Sequence, residues 1–214
     1  MGTLNDLAAH GQAVWLDFVD RKFLAEGGLQ KLVDQDGLTG VTSNPSIFEK
    51  AMGHGDAYDE ELAAYDKANP GAATIDRYEH LAILDIQAAA DTLRPVYDKL
   101  NAKDGYVSLE VSPYLANDTD STIAEAQKLW AAVDRPNLMI KIPGTPAGVP
   151  AIAATIRAGI NVNVTLTLMP AAIVAAIAGT PAGVPGILTI KLGRLTAAHN
   201  FCASAIVASV SLAR

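Results

Sequence analysis

A lysine interrupts one of the most apolar stretches of this 214-residue chain. Lys141 stands within residues 138–142 (LMIKI), a run that predicts a buried strand. Burial penalises the charged ammonium and tends to lower the pKa of a lysine. The neutral amine is a nucleophile towards carbonyl carbon and forms Schiff bases. The alternative is a lysine at a strand end, whose ammonium reaches solvent while its stem lies along apolar surface.

Two carboxylates occupy comparable places in other apolar runs. Glu110 lies within the strand predicted at residues 105–111, and Asp17 lies in or just after the strand predicted at 13–19. Beside a lysine, such groups can move protons directly or through a water molecule. Each is also compatible with a structural ion pair to Lys141. Both interpretations bring the three residues together.

Uncharged polar residues follow the same arrangement. Thr42, Ser43 and Asn44 end the strand predicted at 38–42, and Asn163 and Thr165 alternate along the strand predicted at 160–166. These side chains can bind substrate hydroxyl groups, or they can satisfy buried polar atoms beside the lysine. Taken together, they predict a polar site centred on Lys141.

The elements that must position these residues alternate between strands and helices. Helices are predicted at 21–33, 57–67, 75–100, 119–132 and 149–158, between the five strands already named or implied by the run at Lys141. Such alternation predicts an α/β fold with parallel strands, either a doubly wound sheet or a closed barrel. No GxGxxG motif follows the first strand, which disfavours a dinucleotide site. In a barrel, the polar residues would meet at the C-terminal ends of the strands.

Bulk composition narrows the function classes. The net charge is −7 and 18% of residues are charged, so we expect no nucleic-acid partner and no anionic membrane surface. A single cysteine, Cys202, cannot form an internal disulfide, and the N-terminus lacks the pattern of a signal peptide, so we expect a cytoplasmic protein. No charge occurs between Arg157 and Lys191, but prolines and glycines interrupt that stretch, so we expect no membrane span.

Four segments in order resemble the transaldolase family. They are residues 40–48 (GVTSNPSIF), 107–113 (VSLEVSP), 137–145 (NLMIKIPGT) and 159–166 (GINVNVTL). The resemblance implies a transaldolase-type (β/α)8 TIM barrel with strands one to five recognisable to about residue 166, and with its C-terminal strands missing or replaced. It also implies a pentose phosphate pathway enzyme that transfers a dihydroxyacetone unit between sedoheptulose 7-phosphate and glyceraldehyde 3-phosphate, with no metal and no cofactor.

The resemblance assigns a role to each matching residue. Lys141 would form the Schiff base, Glu110 would assist proton transfer through a water, and Asp17 would act as acid and base on a sugar hydroxyl. Thr165 would place that water. The substrate would be oriented by five side chains: Asn44, Asn163, Thr165, Ser43 and Thr42. The alternatives are a fructose 6-phosphate aldolase-like enzyme, or an inactive truncated or artefactual transaldolase fragment.

The last part of the chain, residues 167–214, departs from the family as a non-homologous, apolar tail. The heptapeptide GTPAGVP at 144–150 recurs at 179–185, but its flanks do not match in the forward direction. They match when the upstream region is written in GC-rich codons and read from the opposite strand. We therefore expect the tail to be an antisense translation of roughly residues 116–165, which sequencing of the locus would test. The oligomeric state stays open.

Overall fold

The computed structural model describes residues 12–165, Leu7 and His10, and the backbone of two later strands. The boundary predicted at residue 166 lies outside the described residues. So does the predicted tail, residues 167–214, apart from those two strands. The elements in chain order are β1 (Trp15–Leu16), α1 (Arg21–Ala25), α2 (Gly28–Asp36), β2 (Gly40–Thr42), α3 (Pro45–Met52), α4 (Asp59–Ala68), α5 (Thr74–Lys99), β3 (Val107–Glu110), a 3-10 turn (Pro113–Leu115), α6 (Thr119–Val133), β4 (Leu138–Pro143), α7 (Gly148–Arg157), β5 (Val162–Thr165), β6 (Leu188–Lys191) and β7 (Val207–Val210).

The strands form one sheet in which each strand lies beside its neighbour in the chain. The order is β1-β2-β3-β4-β5-β6-β7, and the pairs from β1 to β6 are parallel. A doubly wound sheet reverses its strand order at a switch point, and the described strands contain no such reversal. The predicted α/β class and the barrel-like half with strands one to five are therefore confirmed. The pair β6–β7 is antiparallel, which departs from the all-parallel pattern of a (β/α)8 barrel.

The two faces of the sheet have different surroundings because successive side chains of a strand point to opposite faces. All six residues of β4 are buried. Leu138, Ile140 and Ile142 pack with the helices in the main core, whereas Met139 packs with Trp15 and Tyr106 in a separate inner cluster. Lys141 has the parity of Met139, so the strand directs it to the inner face.

The segment predicted as one helix at 21–33 is two helices. Gly27 adopts a left-handed backbone, with φ at +74°, between α1 and α2. Glycine has no Cβ and adopts this conformation at little cost, so the chain can turn there. A further helix, α3, begins directly after the residues that end the strand predicted at 38–42, and Pro45 occupies its first turn.

Candidate functional site

The register of the parallel strands brings three of the predicted site residues side by side. Glu110 of β3 is the partner of Lys141 in β4, and Lys141 is the partner of Asn163 in β5. Paired residues of adjacent parallel strands project from the same face of the sheet. The three side chains therefore form a row across the inner face.

Lys141 is almost fully buried, with 5% of its surface exposed. Its Nζ donates a hydrogen bond to the backbone carbonyl oxygen of Ser43, at 2.7 Å. The same Nζ lies 3.3 Å from Oε2 of Glu110. The solvent-reaching alternative for the lysine is thus excluded, because its amine ends among buried polar groups. Burial disfavours the ammonium form, while the Glu110 carboxylate favours it.

Thr42 and Ser43 are buried within a hydrogen-bond network. The Ser43 hydroxyl donates to the carbonyl oxygen of Ser108 at 2.7 Å, and the Ser108 hydroxyl donates to Oγ1 of Thr42 at 3.0 Å. Ser43 has no exposed surface. Ser108 was not singled out from the sequence, although it stands two residues before Glu110 and so shares its face of β3. Residues two positions apart in a strand point to the same face, so counting back two positions from Glu110 would have identified Ser108.

Asn44 begins helix α3 as its N-cap. Its Oδ1 accepts a hydrogen bond from the backbone N–H of Ile47 at 3.0 Å, which satisfies one of the free donors of the first turn. The side chain is half-buried. The predicted substrate contact of Asn44 can use its amide nitrogen or the second lone pair of Oδ1.

Asn163 and Thr165 lie along β5, two residues apart. Oδ1 of Asn163 and Oγ1 of Thr165 are buried and have no hydrogen-bond partner among the residues that the structure describes. Buried polar atoms are nearly always hydrogen-bonded to protein, water or ligand. The two atoms are therefore available to a substrate or to a catalytic water.

Asp17 follows directly after β1 and is half-buried. It stands two residues after Trp15, whose indole lies in the inner cluster. If the alternation of side chains in β1 continues for one more residue, Asp17 lies on the same face of the sheet as Trp15. The close packing of Trp15 also explains Gly40 on the neighbouring strand, where a Cβ would lie 2.3 Å from the indole.

A cavity of about 410 Å³ lies on the other side of β3, between the strand and helices α3, α5 and α6. Leu109, Glu110 and Val111 of this part of the chain line it together with Tyr78, and Lys141 does not. Burial, with smaller contributions from the charges of Glu110, Glu79 and Glu125, raises the pKa of Tyr78 to about 12. Glu110, the carboxylate partner of Lys141, also lines this cavity, so the cavity adjoins the row of residues on the inner face.

No group of three or more metal-binding side chains occurs in the described part of the chain. A helix with the length and hydropathy of a membrane span is also lacking among these residues.

Comparison with known proteins agrees with the sequence motifs. The sequence model of the Transaldolase/Fructose-6-phosphate aldolase family matches residues 14–208. The chain is 52% identical over 163 residues to Transaldolase 2 of Streptomyces coelicolor, covering 76% of this chain and 43% of that protein. It is 52% identical over 163 residues to a transaldolase of Thermobifida fusca (76% and 44% covered) and 48% identical over 166 residues to one of Thiobacillus denitrificans (78% and 46% covered).

The chain thus spans less than half the length of these curated relatives. The family match extends past residue 166, whereas the relatives align over 163 to 166 residues. Motifs, strand order and overall similarity all agree, and the chain belongs to the Transaldolase/Fructose-6-phosphate aldolase family.

Proposed function

We propose that this chain carries the Schiff-base centre of a transaldolase, which moves a dihydroxyacetone unit between sugar phosphates without a cofactor. The single observation that supports the proposal is the row Glu110–Lys141–Asn163, with a buried amine 3.3 Å from a carboxylate. A buried amine beside an acid is the arrangement that carbonyl chemistry requires.

The reaction begins when the Lys141 ammonium passes a proton to the Glu110 carboxylate, and the neutral amine then attacks the C2 carbonyl carbon of a ketose phosphate. The resulting carbinolamine loses its hydroxyl as water, with Glu110 supplying the proton through a bound water, and a protonated imine remains. Asp17 then takes the proton of the C4 hydroxyl, and the bond between C3 and C4 breaks. The bonding electrons move into the imine, so an aldose phosphate leaves and a dihydroxyacetone enamine stays on the lysine.

The second half reverses these steps on an acceptor. The enamine carbon attacks the aldehyde of another aldose phosphate, Asp17 returns the proton, and water releases the new ketose phosphate. Asn163 and Thr165 carry buried polar atoms that have no partner within the described residues, and these atoms would bind substrate hydroxyls and the water. Asn44 would add its amide nitrogen or its Oδ1. We propose a cytoplasmic location, where such sugar phosphates occur.

Borohydride trapping tests the Schiff base. Reduction of the purified chain with fructose 6-phosphate should leave a three-carbon or six-carbon adduct on the peptide that contains Lys141, identified by mass spectrometry. Lys141→Met should abolish the adduct, whereas Lys103→Met, at an exposed lysine, should leave it unchanged. Glu110→Gln should slow turnover by roughly 10²–10⁴-fold, the range for a lost acid–base group.

Product analysis separates the alternatives. Transfer to an added aldose phosphate identifies a transaldolase. Release of free dihydroxyacetone at the same rate with and without acceptor would instead identify an aldolase. The absence of any adduct on Lys141 in the wild-type chain would contradict the proposed function and favour an inactive fragment.

A further inference from the structure

Ser43 lies against the reacting amine but does not present its hydroxyl to the interior of the site. It has no exposed surface, and its hydroxyl is already bonded to the carbonyl oxygen of Ser108, at 2.7 Å. Its backbone carbonyl oxygen is the acceptor for Nζ of Lys141, also at 2.7 Å. The residue therefore has one bond to strand β3 and one to the lysine of β4.

We propose that Ser43 is a positioning residue for Lys141 and not a substrate-binding residue. This inference rests on the proposed Schiff-base function. The hydroxyl of Ser43 attaches its peptide unit to β3, and the carbonyl of that peptide unit holds the amine of Lys141 in its reacting orientation.

The hydrogen bond from Ser43 to Ser108 matters because Ser43 belongs to neither neighbouring element. Strand β2 ends at Thr42, and helix α3 begins at Pro45 with Asn44 as its cap. The ladder between β2 and β3 therefore does not hold the Ser43 carbonyl in place. The Ser43–Ser108 bond does, and the bond from Ser108 to Thr42 braces the same strands one residue earlier.

A carbonyl acceptor suits every state of the reacting nitrogen. The neutral amine donates one N–H to Ser43 and keeps its lone pair for attack on the ketose carbonyl. After the N–C bond has formed and water has left, the protonated imine retains one N–H. That N–H carries positive charge, and the carbonyl dipole at the same place accepts it. No proton is exchanged with Ser43 at any step.

Kinetics of Ser43→Ala test the inference, with Ser46→Ala on the exposed side of α3 as the matched control. We expect kcat of S43A to fall roughly tenfold to a hundredfold while KM changes less than threefold, because a nucleophile displaced by about 1 Å loses rate of that order. S46A should keep the wild-type values of both constants. An S43A enzyme with raised KM and wild-type kcat would show a substrate contact and overturn the proposal, as would wild-type values of both.

A second variant and a second readout keep the test decisive. Ser43→Cys preserves volume but offers only a weak donor, so it should show a smaller loss of kcat in the same direction, and it replaces S43A if the alanine variant does not fold. Reductive methylation with formaldehyde and cyanoborohydride, followed at the Lys141 peptide as a function of pH, measures the reactivity of the amine without any sugar. Its pH midpoint should move downwards in the Ser43 variants, because a loosened carbonyl stabilises the ammonium less.

The methylation profile also separates the two proposals. A wild-type chain that forms no borohydride adduct with ketose phosphates would remove the proposed function alone. A methylation midpoint that is the same in wild type and both Ser43 variants would remove the positioning role, whatever the sugar chemistry shows.

Discussion

Lys141 and Glu110 should each depend strongly on the other for their contribution to the free energy of unfolding. A double-mutant cycle measures this coupling. Two unit charges 3.3 Å apart attract by roughly 5 kcal/mol at an effective dielectric constant of about 20. The side chains are 6% and 13% exposed, so solvent screens the pair little, but desolvation of both charges offsets much of the attraction. We expect a net coupling free energy of about 1–3 kcal/mol.

The cycle consists of Lys141→Met, Glu110→Gln and the double variant. Lys141→Met leaves a mostly buried carboxylate without its cation and should lower the free energy of unfolding by about 2–4 kcal/mol. Urea unfolding, followed by tryptophan fluorescence at neutral pH, gives this free energy for each chain, provided that the slope with denaturant is unchanged. The double variant should be more stable than the sum of the single losses predicts.

An exposed pair supplies the matched control. Nε of Arg94 lies 2.9 Å from Oδ1 of Asp98, which stands one turn further along α5. The two side chains are 47% and 57% exposed. The same cycle with Arg94→Met and Asp98→Asn should give at most about 0.5 kcal/mol. A Lys141–Glu110 coupling no larger than that of the exposed pair would refute the reasoning that the amine and the acid meet in a buried site.

Three further changes probe the elements around the site. Asn44→Ala should cost about 1 kcal/mol of unfolding free energy through loss of the α3 cap, whereas Asn44→Asp keeps the capping oxygen and should be near wild type in the same urea titration. A Cβ at Gly148 would lie 1.9 Å from the carbonyl oxygen of Pro143, so Gly148→Ala should destabilise by about 1–3 kcal/mol, and an unchanged melting temperature would contradict this packing. Burial raises the pKa of Asp85 above its ordinary 3.8, so the folded state holds this proton more tightly and loses stability as pH rises through that raised value. The stability of Asp85→Asn relative to wild type should therefore increase with pH across this window, and a pH-independent difference in urea midpoints would be the contrary result.

Much of the fold could be predicted because its strands are short apolar runs between amphipathic helices. The strand predicted at 138–142 is Leu138–Pro143, and the helix predicted at 119–132 is Thr119–Val133. The strand predicted at 13–19 was too long, since only Trp15–Leu16 pairs with a neighbour. Apolar character marks burial, but pairing depends on a partner strand that local pattern does not reveal.

The break between α1 and α2 was missed for a related reason. The pair of glycines at 27 and 28 is compatible with a helix of low propensity, and the apolar period continues across it. The choice of a left-handed conformation at Gly27 depends on how the two helices pack, with Gly28 so close to Phe23 that a Cβ would lie 2.2 Å from its ring. Tertiary contact decided this point against the local pattern.

The sequence by itself predicted Lys141 and Glu110 as candidates for the chemistry, because an apolar strand keeps such residues only where a buried charge has a use or a partner. It also determined the order of strands and helices, since periodicity is local. Only the tertiary structure decided that Glu110, Lys141 and Asn163 lie in one register, and that Ser43 holds the lysine through its backbone carbonyl. Register depends on hydrogen bonds between segments far apart in the chain, and a carbonyl group is common to all residues, so neither leaves a mark in the order of amino acids.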